Sequence, residues 1–246
     1  MKLCAVQLAS RKGDLAGNLH RHLQAIQQAA ALGAELVVFP ELSLSGYEPT
    51  LARQLATPAD AALLAPLQAA CDRLGVQAAI GLPLPAVGGV RIGMLVLRPG
   101  LPALSYAKQR LHADEFDYFI PGDKSLVFSA GELQAAPAIC YESMFIEHAA
   151  RARAQGAQLY LVSVVKTAKG IIEGYEHYPE VARQLQMPVL MSNSVGPADS
   201  FISAGQSAAW DTGGQLLASL SEQHEGLLLL DTTANNAQAH PLVLAP

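Results

Sequence analysis

The chain has 246 residues, of which 51% are hydrophobic and only 15% are charged, so it can bury a large core. Its 16 basic and 21 acidic residues give a net charge of −5, and no run of Lys or Arg exceeds two residues. This pattern excludes the basic footprint of a nucleic-acid-binding protein and a basic helix that lies on a membrane. The longest apolar stretches have the length of strands, which argues against a membrane span.

The cysteines and the N-terminal residues indicate the cellular compartment in which the protein folds. Cys4, Cys71 and Cys140 are odd in number, widely spaced and without a CxxC pair, which argues against a disulfide framework or a zinc site. The apolar run at the start is too short for a signal peptide and is soon followed by charged residues. We therefore expect a reduced, soluble, cytoplasmic protein.

The hydrophobic pattern of the first half of the chain predicts alternating strands and helices. Leu19, Leu23 and Ile26 recur at helical spacing, and Gly33 follows as a helix stop. Short apolar runs on either side predict buried strands. The predicted elements are a strand at 2–9, a helix at 18–32, a strand at 34–41, a helix at 58–75, a strand at 76–84, and a hairpin of 91–100 and 102–108.

The second half continues the alternation and then changes to antiparallel strands. The predicted elements are strands at 126–130 and 133–140, a helix at 142–155, a strand at 158–165, a helix at 175–185, a strand at 188–196, and antiparallel strands near the C-terminus. Several connections are too short for crossover helices, which favours mixed sheets covered by helices. We find no repeat or linker and expect one α/β domain over residues 1–246.

The stretch APAICYESMF, residues 136–145, draws attention to Cys140. Most cysteines are small buried hydrophobic residues, and we interpret Cys4 and Cys71 in this way. Cys140 instead closes a predicted buried strand, and a polar helix start follows at once. A sharp strand-to-helix turn exposes a nucleophile, and a helix N-terminus favours the thiolate.

A nucleophilic thiol requires a base, and the sequence offers histidines and carboxylates. His177 is the histidine most compatible with a position near Cys140, although its neighbours also suit an ordinary helix start. We expect the side chains of His20, His22 and His224 to be solvated, and His112, His148 and His240 show no partner pattern.

Glu41 and Lys108 offer a different route. Both residues, like Cys140, stand at the carboxyl ends of predicted strands, where α/β folds collect their ligands. Burial of Glu41 in a cleft would raise its pKa into the range of a base that can accept a thiol proton. The alternatives are that Glu41 caps a loop and that Lys108 is an exposed lysine.

At these positions the sequence resembles the nitrilase superfamily of carbon–nitrogen hydrolases. The similar stretches are VVFPELSLSGY around Glu41, YAKQRL around Lys108 and ICYESMF around Cys140, in the family's order and separated by 67 and 32 residues. Further similar stretches are DEFDYFIPGD at 114–123, QGAQLYLVS at 155–163, PVLMSNSVG at 188–196 and GQSAAWDTGGQLLA at 205–218. The resemblance therefore covers nearly the whole chain.

The resemblance implies a four-layer α-β-β-α sandwich and a cysteine-dependent hydrolase of non-peptide C–N bonds. Cys140 would attack the substrate, and Glu41 would be the base. Lys108 and the backbone N–H of Tyr141 would hold the oxyanion. Glu115 matches an acidic position that orients substrate in many relatives. No metal or organic cofactor is implied, and the members commonly form dimers, so we expect a homodimer.

Two departures from the family pattern affect the substrate. Relatives that bind carboxylate-bearing substrates often place Arg shortly after the cysteine, where this chain has Ser143 and Met144. Lys166 or Lys169 could replace that cation, but we expect both to be solvated. The segment 163–175 also lacks the Asn, Pro and Trp pattern common in relatives, so the pocket there cannot be inferred.

The leading hypothesis is an amidase that releases ammonia from a small linear amide through a thioester. A nitrilase acting on a small nitrile would use the same three residues. An acyltransferase is disfavoured without membrane spans. A non-catalytic binding module on the same fold and a Cys–His protease that uses His177 are the remaining alternatives.

Overall fold

In the computed structural model, which describes residues 1–245, the strands form two large sheets and a small hairpin. The first sheet contains Lys2–Gln7 (β1), Leu36–Val38 (β2), Gln77–Ala86 (β3), Gly89–Arg98 (β4), Leu101–Ala107 (β5), Gly226–Asp231 (β14) and Asn236–Pro241 (β15). The second contains Phe128–Ala130 (β6), Leu133–Ile139 (β7), Leu159–Val164 (β8), Val189–Asn193 (β9), Ala208–Trp210 (β12) and Leu216–Ser219 (β13). The hairpin pairs Val195–Ala198 (β10) with Phe201–Ala204 (β11).

Both large sheets are mixed, as the short connections predicted. The strand orders are β15-β14-β1-β2-β3-β4-β5 and β13-β12-β9-β8-β7-β6. Strands β1, β2 and β3 run parallel, as do β7, β8 and β9, and the outer strands pair antiparallel. The helices are Leu15–Ala31 (α1), Ala52–Leu55 (α2), Ala65–Leu74 (α3), Ile146–Ala154 (α4) and Ala168–Leu185 (α5).

The alternation of side chains along the central strands creates four layers. In β8, Leu159 and Leu161 pack in the core between the two sheets, while Tyr160 and Val162 pack in a second core with α4 and α5. Strand β1 behaves in the same way, since its alternate residues face either the other sheet or α1 and α3. The expected α-β-β-α sandwich is confirmed.

Serine hydroxyls join the two sheets at the edge where the parallel strands end. Ser163 Oγ donates to the carbonyl oxygen of Phe39 at 2.7 Å, and Ser192 Oγ donates to that of Val6 at 2.7 Å. Ser194 Oγ reaches the carbonyl of Leu8 at 3.2 Å. These bonds satisfy buried polar groups and fix the spacing between the sheets at this edge.

Several predicted boundaries are wrong, chiefly in the second half of the chain. Helix α5 begins at Ala168 instead of 175, because Thr167 caps it by accepting from the Gly170 N–H. The predicted strand 188–196 ends at Asn193, and the chain then turns into β10. The predicted helix 142–155 is divided into a 3₁₀ turn at Cys140–Met144 and helix α4.

Within residues 1–245, none of the helices combines the length and the apolar character that crossing a membrane requires.

Gly81 in β3 is needed because the backbone around Glu41 passes directly over it. A Cβ atom at this position would lie 2.5 Å from both the carbonyl oxygen of Pro40 and the backbone nitrogen of Leu42. Gly81 also accepts a hydrogen bond from the Leu44 N–H at 2.9 Å. Because Gly81 has no side chain, the backbone on either side of Glu41 can pass close to β3, and this close approach determines where Glu41 lies.

We predict that Gly81→Ala lowers the free energy of unfolding by about 1–3 kcal/mol, since the clash is with backbone that cannot rotate away. The variant should also lose activity per folded molecule, because Glu41 moves. Thermal unfolding and specific activity provide the measurements. Gly75→Ala is the control: its φ of +67° costs about 1–2 kcal/mol, but no atom lies near its Cβ. Equal activity in the two variants would contradict the prediction.

Candidate active site

The structure brings the three strand-end residues together at the edge where the two sheets are joined. Glu41 lies just beyond β2, Lys108 directly follows β5, and Cys140 directly follows β7. The backbone of Lys108 is held on both sides, since its N–H donates to Ile92 and its carbonyl accepts from Gly122 at 2.7 Å. Residues far apart in sequence thus form one cluster.

Lys108 is the centre of a buried ion cluster. Its ammonium donates to Glu41 Oε1 at 2.8 Å and to Glu115 Oε1 at 2.7 Å, and all three side chains are at most 3% exposed. Glu115 is fixed from two further directions, by the hydroxyl of Tyr47 at 2.9 Å and by the N–H of His112 at 2.8 Å. Burial lowers the pKa of Lys108, but the two carboxylates and Cys140 outweigh that effect and keep it protonated.

The two oxygens of Glu41 have different environments. Oε1 accepts from Lys108, whereas Oε2 is buried and accepts no hydrogen bond within residues 1–245. Burial raises the pKa of Glu41 to about 7, against the opposing effects of Lys108 and the Cys140 thiol. Glu41 therefore combines a free, water-excluded oxygen with a pKa that suits proton transfer near neutrality.

Cys140 occupies a strained backbone conformation. Its φ is +46°, in the left-handed region that residues other than glycine rarely adopt, and such strain is concentrated at functional sites. The sequence suggested a stabilised thiolate, but this expectation is wrong. Burial and the charge of Glu41 raise the pKa of the thiol to about 12, although Lys108 and Lys166 oppose the change. The resting group is therefore the thiol, which requires a base.

Tyr141 follows Cys140 as the second residue of the 3₁₀ turn. The first N–H groups of such a turn have no partner within it, so the Tyr141 N–H is available to an external acceptor. Its ring makes edge contacts with the rings of His112 and Phe145, which lie 5.1 and 5.0 Å away. These contacts hold the turn against the loop that carries Glu115.

Glu142 joins the segments that carry Lys108 and Cys140, a role that the sequence did not reveal. Oε2 accepts from the N–H of Gln109 at 2.6 Å, and Oε1 accepts from the N–H of Ile139 and the hydroxyl of Tyr106, both at 2.7 Å. A single carboxylate thus binds the residue after Lys108 and the residue before Cys140. The signal available in the sequence was an acidic side chain placed directly after a buried strand.

Two further corrections concern histidines that the sequence left without partners or assigned to solvent. His22 was expected to be solvated, but it is fully buried and stacks on Phe39. His148 lies between Tyr106 and Tyr160, with ring nitrogens 3.0 and 2.8 Å from their hydroxyls. Burial lowers the pKa of both histidines to about 4, so neither is charged near neutrality.

The two lysines of the segment after β8 behave differently. Lys169 is exposed as expected, with a side chain that is 88% accessible. Lys166 was also expected to be solvated, but only 7% of it is exposed. It lies close enough to Cys140 for its charge to lower the pKa of the thiol. Cys4 and Cys71 are buried, as expected.

Within residues 1–245, no group of three or more His, Cys, Asp or Glu side chains is arranged to hold a metal ion. Near Cys140, one oxygen of Glu41 and one oxygen of Glu115 already accept hydrogen bonds from the Lys108 ammonium. The chemistry that this arrangement supports is proton transfer and nucleophilic attack by sulfur.

Comparison with known proteins assigns the chain to a family. The family model for carbon–nitrogen hydrolases matches residues 2–241. The chain belongs to the carbon–nitrogen hydrolase family. An (R)-stereoselective amidase of Pseudomonas sp. is 32% identical to this carbon–nitrogen hydrolase over 225 residues, which cover 88% of this chain and 80% of the amidase.

Further relatives of this carbon–nitrogen hydrolase include a synthetase and a solved amidase. A glutamine-dependent NAD(+) synthetase of Xylella fastidiosa is 28% identical over 98% of this chain, which spans only 46% of the synthetase. The amidase of Nesterenkonia sp. AN1 superposes with a TM-score of 0.85 at 28% identity, over 94% of this chain and 92% of that one. A mutant of that amidase, which belongs to the nitrilase superfamily, was solved in complex with butyramide.

We predict that Glu142→Gln lowers the free energy of unfolding by about 1.5–3 kcal/mol, because an amide N–H₂ would face backbone donors in place of a charged acceptor. Chemical denaturation measures the loss. Glu147→Gln is the matched control, since Glu147 is an exposed residue of α4 and its loss should change stability by less than about 0.5 kcal/mol. Similar losses in both variants would rule out the joining role of Glu142.

Proposed function

We propose that this carbon–nitrogen hydrolase is an amidase that releases ammonia from a small linear amide, with Cys140 as nucleophile, Glu41 as base and Lys108 as oxyanion donor. The observation that carries the proposal is the buried contact between Lys108 and Glu41 beside a cysteine held at positive φ. The amidases among the relatives support an amide substrate.

In the first half-reaction, the Cys140 sulfur attacks the amide carbon and its proton passes to Glu41, whose Oε2 is free to accept it. The carbonyl π bond opens, and the oxygen becomes an anion that the Lys108 ammonium and the Tyr141 N–H stabilise. The C–N bond then breaks, Glu41 returns the proton to the leaving nitrogen, and ammonia departs. A thioester on Cys140 remains.

In the second half-reaction, water attacks the thioester carbon and gives one proton to Glu41. The C–S bond breaks, the carboxylic acid leaves, and the proton on Glu41 restores the thiol. Lys108 stays protonated throughout, because Glu41 and Glu115 surround it. Glu115 is well placed to orient the substrate, since Tyr47 and His112 hold it against Lys108.

A Cys–His mechanism finds less support. His177 Nε2 lies 3.0 Å from the backbone carbonyl of Ser143 and is therefore committed to a structural hydrogen bond. Burial lowers its pKa. Glu41 is the better candidate for the base. Its charge acts directly on the pKa of the Cys140 thiol, and its Oε2 accepts no hydrogen bond within residues 1–245.

The proposal extends to the assembly and the location. We propose that residues 1–246 act as one catalytic domain, because the three residues come from segments far apart along the chain. The homodimer and the cytoplasmic location remain predictions, and light scattering on the purified protein measures the first.

We predict that Cys140→Ala lowers the rate of ammonia release at least about 10³-fold, because no other group can form the thioester. Glu41→Gln should cost about 10²–10⁴-fold through loss of the base. A panel of small amides and nitriles with an ammonia assay provides the measurement. Cys71→Ala, which removes a buried thiol of α3 from the core between the helices and the first sheet, is the control. Undiminished turnover by Cys140→Ala would refute the mechanism, and turnover of nitriles in preference to amides would identify a nitrilase.

We predict that kcat/KM for a neutral amide rises about tenfold per pH unit below pH 7 and then levels off. Only the ionised form of Glu41 accepts the thiol proton, and burial raises its pKa to about 7, so acid inactivates the base. A neutral amide contributes no titration of its own to the profile. Activity that instead falls as the pH rises through 7 would show that the required form is an acid.

A further inference from the structure

Lys166 is a buried lysine that the proposed reaction does not use. It follows β8 by two residues and is 7% exposed. Its backbone is anchored, since its N–H donates to Asn193 Oδ1 at 2.8 Å and its carbonyl accepts from the Ala204 N–H at 2.9 Å. The side chain therefore starts from a fixed point.

The fold places Lys166 beside the reacting sulfur. Strands β7 and β8 are parallel neighbours, with Ile139 opposite Ser163, so the chain leaves both strands at the same edge. The backbone N–H of Val165 is directed at the Cys140 thiol and lowers its pKa. The ammonium of Lys166 thus enters the site from the strand next to the one that carries the nucleophile.

The contacts around the side chain connect it to the same site. Lys166 Nζ lies 6.0 Å from the centre of the Tyr178 ring. The Tyr178 hydroxyl is 2.8 Å from Ser143 Oγ, which donates to the Cys140 carbonyl at 2.6 Å. Lys166, Tyr178 and Ser143 therefore form one wall next to the nucleophile.

Within residues 1–245, Lys166 has no carboxylate partner. Lys108 already pairs with both Glu41 and Glu115, and Lys166 forms no salt bridge within residues 1–245. Burial lowers its pKa, but Tyr178, Cys140 and Glu41 raise it by more, so the amine stays protonated. A buried cation without a counterion is unfavourable, and an anionic ligand would compensate it.

We propose that Lys166 binds a carboxylate on the acyl chain of the substrate, so that the preferred substrates are small aliphatic amides carrying one carboxylate. A single ammonium is a compact point charge and matches a monoanion. The position beside Cys140 requires that the carboxylate lie a short distance from the amide carbon. The inference rests on the proposed function, of which it specifies the substrate class.

Binding to Cys140→Ala protein tests the inference without turnover. The probes are succinamate and its neutral isostere 4-methylpentanamide, together with glutaramate and 5-methylhexanamide, and calorimetry gives each Kd. We expect the carboxylated probe of at least one pair to bind about tenfold more tightly than its isostere, the value of one hydrogen bond to a charged group. Absence of any preference for the carboxylated probes would overturn the inference before Lys166 is changed.

Variants in the same background assign the preference to its residue. Lys166→Met should reduce the ratio of the two Kd values to about one, and Lys166→Arg, which keeps the charge, should retain part of it. Lys169→Met, which removes an exposed lysine of α5, is the matched control and should keep the full ratio. A ratio that survives Lys166→Met overturns the inference.

Ammonia release by the unmodified chain separates this inference from the proposed function. A chain that binds carboxylated amides through Lys166 but releases no ammonia would keep the inference about binding and lose the amidase. A chain that hydrolyses neutral amides and shows no carboxylate preference would keep the amidase and overturn the inference.

Discussion

The site depends on the position of one buried ammonium between two buried carboxylates. Lys108 Nζ is within 2.8 Å of an oxygen of Glu41 and of Glu115, and all three side chains are almost completely buried. Removing Lys108 would leave two buried carboxylates without a counterion, which is far more costly than the cluster itself. The strand ends, the loop that carries Glu115 and the glycine under Glu41 all serve to keep these groups in contact.

This ion cluster also determines how the protons are distributed. By occupying Oε1 of Glu41, Lys108 leaves Oε2 as the oxygen without a partner. Burial raises the pKa of Glu41 to about 7 and that of the Cys140 thiol to about 12, so the proton rests on sulfur. In the proposed mechanism, the sulfur therefore becomes nucleophilic only as its proton is transferred to Glu41.

The sequence predicted the frame of the fold and the members of the ion cluster better than it predicted their surroundings. Alternating apolar runs identify the buried strands, and the polar residues that end them make Glu41 and Lys108, together with Cys140 beside the cluster, candidates for a site. Glu115 and the oxyanion role of Lys108 came only from the resemblance to the nitrilase superfamily. The roles of Glu142 and Lys166 were not predictable, because they depend on which backbone groups and charges face each side chain after folding. Helix α5 was predicted too short because Gly170 and Gly174 weaken the local helix signal.

The serine hydroxyls that join the two sheets also constrain how this enzyme can diversify. Each of Ser163, Ser192 and Ser194 spans the gap to a carbonyl in, or directly after, a strand of the first sheet, so a larger side chain there would push the two sheets apart. In the proposed mechanism, the distance between the base Glu41 and the nucleophile Cys140 therefore depends on the spacing of the two sheets. A change of substrate that keeps this spacing is therefore expected in segments that leave the sheets, such as the turn that carries Lys166.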